Sequence, residues 1–215
     1  MGAQLDILHR GEGDAWYKRN REKMGDKDRV SDMIERCGIQ PRHALEIGCS
    51  NGWRLQKLKD KYGCEANGID ISWDAIKAGR EKHSKIGLRV GSADNLGYGN
   101  GVFDLVILGF FLYLADREDL FRIAAEADRV LADRGYIIIE DFFSTRAYAK
   151  PYHHADGMHL YKMDYGRLFT WNPAYRVIDK QITGSQSSMP TSRDDQEAII
   201  VLRKTMKWPL MEAAS

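Results

Sequence analysis

Cysteine is scarce in this chain, with three among 215 residues. Cys37, Cys49 and Cys64 fall in or beside apolar segments and lack the paired spacing of a metal site, so they read as reduced, buried thiols. Long apolar runs are missing as well, which leaves no candidate for a membrane-spanning helix. Residues Met1 to Arg10 show neither a basic start followed by an apolar block nor a cleavage site, so no secretory leader is visible and a cytoplasmic protein is expected. Charge of one sign is also absent: 32 Lys and Arg against 31 Asp and Glu give a net charge of +1, which offers no general attraction for nucleic acid. Repeats and low-complexity tracts do not occur. What remains is ordinary globular composition, 43% hydrophobic and 29% charged, at a length that suits one domain with a sizeable core.

The pivotal stretch runs from Ala44 to Leu55. An apolar run ends at Gly48 and a helical pattern opens after Gly52, which predicts a buried strand, a glycine-bearing turn and a helix start. Such a turn lets a ligand approach the backbone and aims free N–H groups at anything anionic. The dinucleotide spacing G-x-G-x-x-G is not met by Gly48-Cys49-Ser50-Asn51-Gly52. One helix-length later, Gly68-Ile69-Asp70-Ile71-Ser72 puts a carboxylate at a second strand tip, where it can accept both hydroxyls of a ribose. Gly91-Ser92-Ala93-Asp94-Asn95-Leu96 repeats the arrangement at a third strand end.

The pattern alternates strand and helix from His43 onward, which predicts a parallel sheet covered on both faces. Strands are expected near 43–48, 64–70, 86–91, 102–109 and 135–141, with helices near 53–62, 73–83 and 117–131. Ser72 is the expected cap of the second of these helices and Asp116 of the third. Residues 175–183 and 197–203 read as a closing antiparallel hairpin around a Gly, Ser, Pro and Asp loop. Two helices lead the chain, one opening at Asp14 as its cap and one from Lys27 to Cys37. The expected fold is therefore α/β, three-layered and Rossmann-like, with a seven-stranded, mostly parallel sheet whose last strand is antiparallel. A single domain is expected, residues 1–42 forming a lid over a core of 43–215.

The pattern Glu46-x-Gly48-x-Ser50-x-Gly52, followed by Asp70, Asp94 and Gly109-Phe110, resembles the class I S-adenosylmethionine-dependent methyltransferases. Ser50 stands where the family usually has its middle glycine. The resemblance covers about residues 43–204 and implies S-adenosyl-L-methionine as cofactor. Carried over position by position, it implies that Glu46, Gly48, Cys49, Ser50, Asn51 and Gly52 surround the amino acid end of the cofactor and that Asp70 and Ile71 meet the ribose and adenine. Asp94 would then meet the adenine amine, with Asn95 also in the cofactor site and Leu96 opposite Ile71 across the ring, and the backbone of Gly109 and Phe110 would hold the cofactor's amino group. The leading helices would close over the site through Trp16 and Arg19, with Arg19 pairing with the cofactor carboxylate. The stretch after the fourth strand is not Asn-Pro-Pro-Tyr or Asp-Pro-Pro-Tyr, so the base and glutamine N-methyltransferases with that motif are poor models.

Residues 144–174 are read as a long, aromatic-rich insertion at the acceptor site. Asp141 and one of His153 and His154 are the candidates for general base or acceptor ligand. A metal site is not expected, because nothing fixes two of His153, His154, His159 and Asp164 on one helix face. Together with Gly-Asp-Ala-Trp near the start and Pro-Tyr-His-His later, the motifs resemble a bacterial small-molecule branch of the family. That implies methylation at O or N of a small polar molecule, a sugar or nucleotide-linked sugar in polysaccharide or secondary-metabolite modification. Two alternatives stay open: an RNA or protein methyltransferase, which a basic face of Arg146, Lys150, Lys162 and Arg167 would favour, and a non-catalytic nucleoside-binding regulator.

Overall fold

A computed structural model describes residues 2–184 and 193–206. Among the described residues nine strands form: β1 His43–Ile47, β2 Glu65–Asp70, β3 Gly87–Val90, β4 Phe103–Gly109, β5 Leu131–Phe142, β6 Tyr148–Pro151, β7 His159–Lys162, β8 Tyr175–Gly184 and β9 Gln196–Lys204. The helices are α1 Ala3–Ile7, α2 Gly13–Asn20, α3 Arg29–Arg36, α4 Trp53–Tyr62, α5 Trp73–Lys82, α6 Leu120–Val130 and α7 Arg167–Thr170. Seven strands make one sheet in the order β3-β2-β1-β4-β5-β9-β8. Strands β1 to β5 pair in parallel, and β9 runs antiparallel to both β5 and β8. This is the seven-stranded Rossmann-like sheet that the alternation of pattern predicted.

Side-chain alternation along the strands divides the core in two. Leu45, Ile47, Val106, Leu108, Ile137 and Ile139 face α6 and α7. Ala44, Leu105, Ile107, Ile138, Ile199 and Val201 face α3, α4 and α5. Central parallel strands are buried from both sides, which is why β4 reads as the unbroken run Leu105-Val106-Ile107-Leu108. Gly63, left-handed at φ 68°, stops α4 by returning its N–H to the carbonyl of Lys59. Among the described residues no helix is long and apolar enough to cross a membrane.

Several expectations are corrected. Helix α6 begins at Leu120 without a side-chain cap, and Asp116 instead accepts hydrogen bonds from the backbone N–H groups of Gln4 and Leu5. Asp14 does not cap its own helix either. Its carboxylate reaches the start of α5, accepting from Ser72 Oγ at 2.6 Å and Asp74 N at 3.0 Å, while Ser72 caps that helix as expected. Residues 144–174 are ordered structure rather than loop: β6 and β7 form a two-stranded antiparallel ribbon and α7 follows. Much of the expected Gly, Ser, Pro and Asp loop, at 185–192, lies outside the described residues, as do 207–215.

Candidate active site

Strand order reverses between β1 and β4, and open α/β sheets bind ligands in the crevice at the carboxyl ends beside such a reversal. A cleft lies there. It encloses about 900 Å³, including open solvent at its mouth. Its floor is Ile47 and Gly48 after β1, and its sides are Asp70 and Ile71 after β2 and the segment Gly91–Asp94 after β3. Gly109, Phe110 and Phe111 supply the wall after β4, and Leu5, Leu8, Gly13 and Trp16 form the roof.

The turn between β1 and α4 is shaped by its backbone. Gly48 has φ 75°, and a Cβ there would come within 2.9 Å of the Phe111 ring and 3.1 Å of the Gly109 carbonyl, so only glycine fits. Ser50 occupies the left-handed region at φ 50°. That is the reason a glycine is natural at this position. Serine holds the same conformation at a cost of about 1 kcal/mol, with its N–H donating 2.7 Å to Asp70 Oδ2. Phe110, at φ 55°, is a second left-handed residue on the cleft wall, and its N–H donates to the Glu140 carbonyl at 2.8 Å. Asp70 also accepts from Ser72 N at 2.8 Å, and burial raises its pKa against the pull of these two amides.

Of the residues singled out by sequence, Trp16, Gly48, Asp70, Ile71, Asp94, Gly109 and Phe110 line the cleft. The others lie elsewhere, for identifiable reasons. Glu46 is buried beneath Gly109 and pairs with Arg54, which also takes Asp28 at 2.8 Å and Glu140 at 3.2 Å. Cys49 packs beneath the turn against Gly68, and Asn51 accepts from the Trp53 N–H at the start of α4. Neither Ser50 nor Gly52 lines the cleft. They set its backbone. Arg19 pairs with Glu12 and donates to the Tyr152 hydroxyl at 3.1 Å, which ties the lead helix to the insertion. Asn95 points to solvent, and Leu96 belongs to the core rather than to the cleft.

The catalytic candidates are displaced most. His153 and His154 sit exposed on the turn between β6 and β7, and it is Tyr152 that turns inward, its hydroxyl donating 3.0 Å to Glu12. Asp141 lies outside the cleft lining. Only 2% exposed, it accepts from Phe142 N at 2.7 Å and Tyr113 N at 3.3 Å, and burial pushes its carboxyl up to about 8. It fastens the turn after β4 from behind the cleft lining. Asp164 pairs with Lys180 at 2.7 Å.

Sequence reading missed the roof. Helix α1 has five residues and meets α2 through a π-helical turn in which Gly11 takes φ 142°, so no stretch is long enough to show periodicity. Gln4 is buried there, donating to the Leu114 carbonyl at 2.8 Å and accepting from the His159 N–H. Trp16 Nε1 donates to the Tyr113 hydroxyl at 2.8 Å.

Residues 45–139 match the family model described as a methyltransferase domain. That stretch is thus similar to the methyltransferase domain family, and the sheet as a whole has the fold of S-adenosylmethionine-dependent methyltransferases. Ajmaline N-methyltransferase of Rauvolfia serpentina is 34% identical over 107 residues, covering 46% of this chain and 36% of the relative. A malonyl-[acyl-carrier protein] O-methyltransferase of Geobacter sulfurreducens is 30% identical over 137 residues, covering 60% and 49%. The chain thus spans between about a third and a half of the curated relatives it matches. Among solved structures, the methyltransferase fold is shared with 1,6-didemethyltoxoflavin-N1-methyltransferase of Burkholderia thailandensis, whose structure holds 1,6-didemethyltoxoflavin and S-adenosylhomocysteine. That match has a TM-score of 0.74 at 14% identity and covers 95% of this chain and 92% of that one. A methyltransferase of Methanosarcina mazei matches with TM-score 0.66 at 18% identity, covering 81% and 98%.

Proposed function

We propose that this protein transfers the methyl group of S-adenosylmethionine to a nitrogen or oxygen of a small molecule that is neutral or cationic when it binds. The observation that carries this reading is the cleft itself, in which every Asp, Glu, Lys, Arg or His on the lining among the described residues is an aspartate: Asp70, Asp94, Asp116 and Asp119. The donor set suits the cofactor. An ionised carboxylate offers about four acceptor sites, and the backbone amides on Asp70 leave acceptor capacity for the ribose. Asp94, steadied by Ser92 and by Arg122 at 3.4 Å, stands one strand further along, where an adenine amine would meet it.

The cofactor supplies an electrophilic methyl on a positively charged sulfur. Attack neutralises charge, so a dry and aligned cleft helps more than an anion-stabilising site would. Trp16, Phe110 and Phe111 supply that apolar enclosure, and α1 and α2 act as its lid. Asp116 and Asp119 are engaged with the first amides of α1, Asp119 accepting from Gly2 N at 3.2 Å. With no histidine on the lining among the described residues, an amine that attacks as its free base fits better than a hydroxyl that must first lose a proton.

The acidic lining disfavours a nucleotide-linked sugar, whose phosphates would be repelled. An RNA or protein acceptor is also less well supported, since three residues of the expected basic face have acidic or carbonyl partners within the chain. Lys150 pairs with Asp194, Lys162 donates to the Asp194 carbonyl, and Arg167 lies 3.9 Å from Asp164. Calorimetric titration with S-adenosylhomocysteine and, as control, NAD tests the cofactor assignment. Micromolar binding of the first alone is expected, and preference for NAD would overturn the reading.

A further inference from the structure

The cleft has two chemically different ends. Asp70 and Asp94 mark one, and aromatic rings wall the other: Trp16 from α2, Phe110 after β4, and Tyr113 from the turn that follows, all three on the lining. The Trp16 Nε1 to Tyr113 Oη bond of 2.8 Å ties the lid ring to the wall ring. Phe110 and Tyr113 meet edge to face at 5.8 Å between centroids, and Phe142 backs both at 5.0 Å and 5.1 Å. These contacts set the three rings before a ligand arrives. The two acids that also reach this region, Asp116 and Asp119, accept hydrogen bonds from the first amides of α1. Asp141 lies behind the wall, held by the backbone of Tyr113 and Phe142.

A cation placed here lies among three aromatic rings, whose faces attract positive charge through their quadrupole. We infer that Trp16, Phe110 and Tyr113 form an aromatic cage that senses the positive charge on the cofactor's sulfur and so tells S-adenosylmethionine from its neutral product S-adenosylhomocysteine. The inference rests on the cofactor assignment above. Methyl transfer breaks the carbon–sulfur bond and leaves its electron pair on sulfur, so the product carries no charge there. The cage then loses its electrostatic hold while the contacts at Asp70 are unchanged, which loosens product relative to substrate.

The test is calorimetry of both ligands on the wild-type protein and on Trp16→Leu, Trp16→Phe and Phe110→Leu. In Trp16→Leu the affinity of S-adenosylmethionine relative to S-adenosylhomocysteine is expected to fall about 3- to 10-fold, with product affinity changing less than about twofold. Trp16→Phe keeps a ring and should retain most of the ratio. Phe110→Leu provides the same reading should Trp16→Leu fail to fold by circular dichroism. A loss shared equally by both ligands, with the ratio unchanged, would overturn the cage and leave the cofactor assignment standing. Failure of the wild-type protein to bind either ligand would overturn both.

Discussion

Asp70 joins two tasks in one side chain. It accepts the amides of Ser50 and Ser72, which fixes the turns after β1 and at the start of α5, and it presents its remaining lone pairs to the cleft. Replacing it by Ala should weaken S-adenosylhomocysteine binding by about 1.5–3 kcal/mol, and an unchanged dissociation constant would remove the assignment. Asp141 makes a different prediction. Its carboxyl is raised by burial from an ordinary 3.8 to about 8, so between those values the folded protein holds a proton that the unfolded chain has released. Stability is then full below about pH 4 as far as this group is concerned and falls as pH rises toward 8. Urea midpoints at pH 5 and pH 8 should show that slope, and Asp141→Asn should flatten it. At this scale the sequence was informative where chemistry and chain position coincide, as at Gly48, Asp70 and Asp94. It did not place His153, His154 and Asp141, which lie off the cleft lining, because the direction of a side chain in a ribbon turn or at a strand end depends on packing that spacing does not record.

Helices α4 and α5 were legible almost to the residue, since each has a local stop or start in Gly63 and Ser72. Helix α1 and the β6–β7 ribbon were not. Their stability comes from one another: Gln4 bridges to His159, and Glu12 to Tyr152, contacts between segments some 140 residues or more apart. Asp14 fastens the other side of the roof by binding at the start of α5. Asp14→Ala should cost about 0.5–2 kcal/mol and speed amide exchange at Asp74, as loss of a cap does. Beneath the cleft, Arg54 joins α4 to β1, β5 and the cap of α3 through Glu46, Glu140 and Asp28. Arg54→Ala strands the buried Glu46 carboxylate, while Glu140 keeps Arg29 and Asp28 keeps Ser31, and a loss of roughly 3–5 kcal/mol in denaturant unfolding is expected.

For the molecule as a whole, near-neutral net charge conceals a strongly uneven distribution, because the acids of the cleft are balanced by bases placed elsewhere. A screen of candidate acceptors should therefore give turnover with neutral or cationic amines and little with phosphate-bearing compounds of similar size. The reverse order would show that the lining does not set selectivity. Sheet architecture was readable from the alternation of five apolar strands with three amphipathic helices, each a local signal. Strand order was not readable in the same way, and one feature of it bears on how the protein comes into being. Strand β9 is the last of the nine in sequence, yet it lies inside the sheet between β5 and β8, with Ile199 to Leu202 in the core. Until residues 196–204 have been synthesised, β8 has no neighbour and β5 exposes an unpaired, apolar edge of the kind that recruits foreign strands. Growth of the chain is thus a period of vulnerability that ends abruptly, when a single late segment slots between two earlier ones and seals both.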